Sequence, residues 1–204
     1  MGRLAPSGRA FLPELSSIAE LTVAVATVLH DRLDFPIGRA DHLADLAACA
    51  HEARSIAAEV TMAAARTLVP PIDGDDARQL ASRLLIVVDG VYRAGRLADV
   101  VRPALPDAAL AYLADLLVGA TDSLEGAAAT MTERSHALDF AADVRRLTHE
   151  GDVTYGEAMG ALLASAPDSL VVVRQAQMYG ALCESLRDCA GAVALVERIV
   201  LKRF

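Results

Sequence analysis

Apolar residues recur every three or four positions through nearly the whole chain, and proline-containing breaks interrupt this pattern. In the first stretch they stand at Leu15, Ile18, Leu21, Val25 and Leu29. This spacing places them on one face of a helix, whereas the alternation and the Asn-Gly turns typical of strands and hairpins are missing from the sequence. The pattern predicts an all-α protein with six long helices, over 12–33, 39–68, 75–99, 108–133, 138–164 and 169–201.

The predicted helix ends follow from proline and from acidic residues. Proline lacks the backbone N–H that a helix needs, and it pushes the preceding residue out of the helical region. Breaks are therefore predicted at 35–38, at 69–74, around Pro103 and Pro106, and at 167–168. Asp75 and Asp76 stand where an N-cap and a first-turn acid belong, and Asp107 is a further N-cap candidate.

Composition excludes several classes of protein. The 204 residues carry a net charge of -8, and no basic run or aromatic cluster is present to bind nucleic acid. A hydrophobic share of 54% excludes intrinsic disorder. The N-terminus lacks the apolar core of a signal peptide, and the apolar stretch 21–29 is shorter than the about 20 residues that span a bilayer. We therefore expect a soluble, cytoplasmic protein without membrane insertion, whose three cysteines are unpaired.

The two halves of the chain contain a short internal repeat. His51-Glu52-Ala53-Arg54 in the second predicted helix corresponds to His149-Glu150-Gly151-Asp152 in the fifth. Asp89 in the third helix corresponds to Asp188 in the sixth. This pattern predicts two three-helix units, over 1–103 and 104–204.

Three stretches together resemble a known family. They are TLVPPIDGDDARQLASRLLIVVDGV at 67–91, LTHEGDVTYGEAMGALL at 147–163 and YGALCESLRDCAGAVALVERIVLKRF at 179–204. They are similar to the PhoU-like regulators associated with Pit-type phosphate transporters, and PIDGDD at 71–76 and IVLK at 199–202 are the most specific parts. The resemblance implies an elongated six-helix bundle built from two three-helix repeats. It also implies a regulatory rather than catalytic role in inorganic phosphate uptake.

Many relatives bind metal ions through Glu-x-x-x-Asp pairs on facing helices, and the second half keeps part of this pattern. Glu184 and Asp188 form such a pair, whereas the acid four residues before Asp152 is replaced by Thr148. His149 lies three residues before Asp152, within reach of the same helix face. The resemblance thus implies a weakened site made of Asp152, Glu184, Asp188 and His149, for Fe, Zn, Mn or Mg.

The first half has lost most of the acids of the family pattern. Ala50 and Arg54 stand on the second helix, and Leu85 and Ile86 stand on the third, where Asp89 alone remains. No metal is expected there, because the Arg54 guanidinium takes the electrostatic place of a cation. Ile86 points away from the predicted core stripe of its helix. Our hypothesis is that it contacts a subunit or a transporter, in place of the first metal site.

Three functions remain open at this level. The first is a regulator without catalytic activity that binds a Pit-type transporter or a signalling protein at the membrane surface, with homodimerisation also expected. The second is a metal-dependent phosphoester hydrolase using Asp152, Glu184 and Asp188, and the third is a metal-free helical scaffold. Glu133 and His136 have the spacing of a di-iron motif, but such sites need two copies, so we interpret them as surface charges.

Overall fold

The computed structural model describes residues 11–34, 42–64, 72–103, 106–165 and 168–203. Within these ranges the chain forms six α-helices and no strand. The all-α prediction is therefore confirmed. The helices are α1 (Leu12–Asp34), α2 (His42–Ala64), α3 (Gly74–Val101), α4 (Ala108–Ala129), α5 (Arg134–Ala164) and α6 (Ser169–Arg203).

The helix contacts include two sets of three mutually packed helices. The helices α1, α2 and α3 contact one another pairwise, and so do α4, α5 and α6. The two groups are joined along two further pairs, α1 with α4 and α3 with α6. One continuous apolar core runs through both groups, with fully buried side chains such as Leu15, Leu84, Leu113 and Leu186.

The predicted helix bounds hold within a few residues except at the link between α4 and α5. There the sequence predicts a helix to 133 and a link at 134–136, whereas α4 ends at Ala129 and α5 begins at Arg134. Thr130 is the C-cap of α4, and its N–H and its hydroxyl both donate to the carbonyl of Gly126, at 3.0 and 2.7 Å. The predicted breaks at 35–38, 69–71 and 167 lie outside the described residues, as do both predicted ends of α2.

Aspartates cap both α3 and α4. The Asp107 carboxylate accepts a hydrogen bond from the Leu110 N–H at 2.9 Å, which confirms the predicted cap of α4. The cap of α3 is Asp73 rather than Asp75, because the Asp73 carboxylate accepts from the Asp75 N–H at 3.1 Å. Asp75 and Asp76 then occupy the first turn of α3, where negative charge is favourable.

Helix α1 has the length and apolar composition of a membrane span, and it is the one described helix that does. Eight of its residues are buried, and it packs against α2, α3 and α4. Core helices of soluble proteins share this composition, so the absence of membrane insertion stays a prediction.

Candidate functional site

The two most specific motifs of the resemblance contact each other in the folded chain. Asp76 of the PIDGDD motif is 7% exposed, and its two carboxylate oxygens accept from Arg198 at 3.2 Å and from Lys202 at 2.9 Å. Lys202, of the IVLK motif, also donates to Asp73 at 3.2 Å. Arg198 further donates to Gln79 at 2.9 Å. This ionic clasp joins the C-terminal end of α6 to the N-terminal end of α3.

On α5, the residues at and around the predicted metal site either bind other groups of the protein or face solvent. Thr148, in the place of the family acid, is buried, and its hydroxyl lies 2.9 Å from the carbonyl oxygen of Val144 and 3.1 Å from that of Leu186. The Asp152 carboxylate accepts from the Arg187 guanidinium at 2.6 Å. The His149 side chain is exposed.

The acidic pair on α6 faces α3. The Oδ2 atom of Asp188 is buried without a hydrogen-bond partner, and it lies 3.1 Å from the point that a Cβ atom on Gly90 would occupy. Burial first, and then the Glu184 carboxylate, raise the pKa of Asp188 above its ordinary value, against the opposing effect of Arg93 and Arg83. Glu184 itself is exposed.

The four residues of the predicted metal site are not found as an assembled group of ligands. Within the described residues, no group of three or more His, Cys, Asp and Glu side chains is arranged to hold a metal ion. Asp152 is engaged by an arginine, and Asp188 presents its buried oxygen to the backbone of α3. The metal site that the resemblance implies therefore stays a prediction.

In the first half, Arg54 lies beside Asp89, the acid that remains of the family pattern. Arg54 donates to Asp89 at 2.5 Å, so a guanidinium balances the remaining carboxylate. Ala50 is fully buried, and Leu85 packs against the core. Ile86 remains 38% exposed, so the hypothesis that it contacts another protein still stands.

Two clefts lie along the contact between α3 and α6. One, of about 250 Å³, is lined by Gly90, Arg93, Ala94, Leu97, Ala181, Glu184 and Ser185. The other, of about 370 Å³, is lined by Gln79, Ser82, Arg83, Gly191, Ala194, Leu195 and Arg198. In chain order Ile86 falls between the clefts on α3, and Asp188 falls between them on α6. We call the two clefts with Ile86 and Asp188 the α3–α6 groove.

Opposite charges occupy the two sides of the groove. The α3 side carries Arg83 and Arg93, and the α6 side carries Glu184 and Asp188. Among the described residues, none of these four side chains has a hydrogen-bond or salt-bridge partner. The fifth charge, Arg198, is bound to Asp76.

Sequence reasoning named the acids of this groove but missed its arginines and glycines. The signal was present, because Arg83, Ile86, Gly90, Arg93 and Leu97 follow one another at spacings of three and four residues. They therefore share one face of α3, but the apolar stripe does not reveal which helix that face meets.

No protein-family model matches this chain, and no curated protein matches it either. Family membership therefore enters below as a proposal.

We expect Asp188→Asn to raise the thermal stability of the monomer at pH 7. A carboxyl with a raised native pKa binds more protons in the folded state than in the unfolded state. The contribution of Asp188 to wild-type stability should therefore fall as the pH rises from about 3.8 through its native pKa, and then stay low. Asparagine carries no charge and so removes this loss of stability. Tm measured by circular dichroism from pH 3 to 8 should be higher for the variant at pH 7 and should become equal for the two proteins near pH 3.

The same variant distinguishes unfavourable burial from metal binding. A metal that binds the folded state raises its stability. We expect added Mn²⁺ or Zn²⁺ to leave Tm unchanged in both proteins. A rise in Tm in wild type that Asp188→Asn abolishes would contradict this and restore the metal interpretation.

Proposed function

We propose that this chain is a PhoU-like accessory protein that regulates inorganic phosphate transport by binding to a Pit-type transporter or to a signalling protein. The observation that carries the proposal is the ionic clasp. The motifs PIDGDD and IVLK lie 126 residues apart at Asp76 and Lys202, yet they form one contact. The two motifs on which the resemblance is based therefore bind each other in the fold.

The arrangement of the six helices supports the same proposal. Two mutually packed groups of three helices, joined along two helix pairs, are compatible with two three-helix repeats at 1–103 and 104–204. The elongated PhoU-like bundle and the repeat remain parts of the proposal, as does a cytoplasmic location at the membrane surface.

In this proposal the protein regulates its partner by binding to it and catalyses no reaction. A binding protein shifts its partner between two states only if it has different affinities for them. In this chain, carboxylates that could serve as ligands or bases are neutralised by arginine, as in the Asp152–Arg187 and Asp89–Arg54 pairs. These pairs favour a metal-free regulator over a phosphoester hydrolase.

Removing the gene for this chain from its own host tests the proposal. We expect the initial rate of radiolabelled phosphate uptake to change and to return when the wild-type gene is restored. Unchanged uptake would contradict a role in phosphate transport. Purified protein should not hydrolyse p-nitrophenyl phosphate in the presence of Mg²⁺, Mn²⁺ or Zn²⁺, and hydrolysis that Asp152→Ala abolishes would favour the enzyme instead.

A further inference from the structure

We propose that the larger cleft between α3 and α6 binds a doubly charged phosphate group, as inorganic phosphate or as part of a phosphate monoester. We call this cleft, of about 370 Å³, the arginine cleft, after Arg83 of α3 and Arg198 of α6, which line it. The proposal rests on this lining and does not depend on a role in phosphate transport, so the binding test below and the uptake test above can fail separately.

The polar groups of the arginine cleft suit an anion. Arg83 and Arg198 bring two cations from two helices, and the exposed Ser82 adds a hydroxyl that can donate a hydrogen bond. Among the described residues that line this cleft there is no Asp or Glu. Guanidinium groups bind phosphate through paired, charge-assisted hydrogen bonds, so two of them in one cleft favour a ligand with two negative charges.

Arg83 is available to such a ligand. Within the part of the chain that the structure describes, its guanidinium has no hydrogen-bond or salt-bridge partner. Its Nη1 atom lies 3.6 Å from the point that a Cβ atom on Gly191 would occupy, so the guanidinium extends from α3 to α6. Because Gly191 has no side chain, the space beside that nitrogen belongs to the cleft.

Arg198 keeps donors for a ligand although it takes part in the ionic clasp. Its hydrogen bonds to Asp76 and Gln79 both come from the Nη2 atom, at 3.2 and 2.9 Å. An arginine has five N–H donors, so the Nη1 and Nε groups remain for another acceptor. Asp76 also accepts from Lys202 at 2.9 Å, so two cations share this carboxylate. The clasp therefore holds Arg198 at the cleft without cancelling its charge.

The carboxylates that follow the cleft along α6 are directed elsewhere. Glu197 forms a salt bridge with Arg145 of α5. Asp188 directs its buried Oδ2 atom at Gly90, which lines the smaller cleft. Arg83 also lowers the pKa of Asp188 less than Arg93 does. Neither carboxylate therefore occupies the place of an anion in the arginine cleft.

The size and exposure of the cleft set the expected affinity. Its volume lies at the lower end for small-molecule sites, and the exposed Ala194 provides an apolar surface beside the arginines. Both arginines are exposed, so water competes with the ligand for their donors. We therefore expect a dissociation constant of about 1 mM for inorganic phosphate at pH 8.

A titration followed by two-dimensional NMR of the isotope-labelled chain tests the proposal. Inorganic phosphate is added at pH 8, with chloride keeping the ionic strength constant, and the amide signals of Ser82 and Gly191 should shift and saturate. Arg83→Gln should weaken binding at least tenfold, because it removes one of the two cations. The matched control is Arg96→Gln, an exposed arginine of α3 outside the cleft that lies over the Tyr92 ring at 6.0 Å, and it should bind like wild type.

A second pair of variants tests the site with both arginines in place. Gly191→Asp sets a carboxylate beside Nη1 of Arg83 and should abolish binding, and the 3.6 Å spacing is ordinary contact that the fold tolerates. Gly180→Asp makes the same change of charge on α6, where a Cβ atom would meet nothing within 4 Å, and it should bind like wild type.

Phenyl phosphate distinguishes the two sources of the phosphate group. Its ring would cover Ala194, and burying apolar surface adds affinity. Binding at least threefold tighter than that of inorganic phosphate would support the site and identify its ligand as a monoester. Equal or weaker binding, with inorganic phosphate still bound, would support the site and identify its ligand as inorganic phosphate.

Three results would overturn the proposal. The first is a wild-type protein whose signals do not shift up to about 20 mM phosphate, far above the expected constant. The second is an equal loss of affinity in Arg83→Gln and Arg96→Gln, which would indicate attraction to overall charge only. The third is full binding by Gly191→Asp that circular dichroism shows to be folded, which would place the phosphate elsewhere.

Discussion

Asp76→Ala should lower the free energy of unfolding by about 1–2 kcal/mol, which corresponds to a drop in Tm of roughly 5 °C. The side chain is nearly buried and binds both Arg198 and Lys202, so its loss leaves two cations of α6 without their shared anion. It also removes a negative charge from the first turn of α3. Urea denaturation followed by circular dichroism measures the change.

The neighbouring residue provides the control for Asp76. Asp75 is exposed and binds Arg78 and Gln79 within its own helix. Asp75→Ala should therefore cost much less, because surface pairs of this kind contribute little. Equal losses in the two variants would show that helix-end charge, rather than the clasp, provides the stability.

Gly126→Ala should lower the free energy of unfolding by about 1–2 kcal/mol, although alanine is the better helix former. A Cβ atom at this position would lie 2.7, 2.8 and 2.9 Å from three ring atoms of Phe140. These distances are shorter than van der Waals contact, so either the half-buried Phe140 ring must leave its place or α4 and α5 must separate. Thermal and urea unfolding measure the loss.

Gly156→Ala is the matched control and should change stability in the opposite direction. Gly156 lies within α5, and a Cβ atom there would meet nothing within 4 Å. Only the propensity gain remains, about 0.5–1 kcal/mol of added stability. A loss at Gly156, or a gain at Gly126, would contradict the packing that the structure shows.

Periodicity was sufficient to predict the helices, because each apolar stripe is a local property of the chain. Pairing between helices is not local, and this limited the prediction of the site. Glu184 and Asp188 were expected to face Asp152 on α5, whereas Asp188 lies against Gly90 of α3 and Asp152 binds Arg187. Arg187 could have been found, since it lies one turn from Glu184 and next to Asp188. The sequence around Arg187 does not show which helix packs against that turn of α6.

The ionic clasp also has a consequence for the order of folding. Asp76 and Lys202 are 126 residues apart, so their contact closes a long loop of the chain. The entropy lost in closing such a loop is spent before the contact contributes, whereas each helix forms from contacts close in sequence. The clasp should therefore form late, and its removal should speed unfolding more than it slows folding.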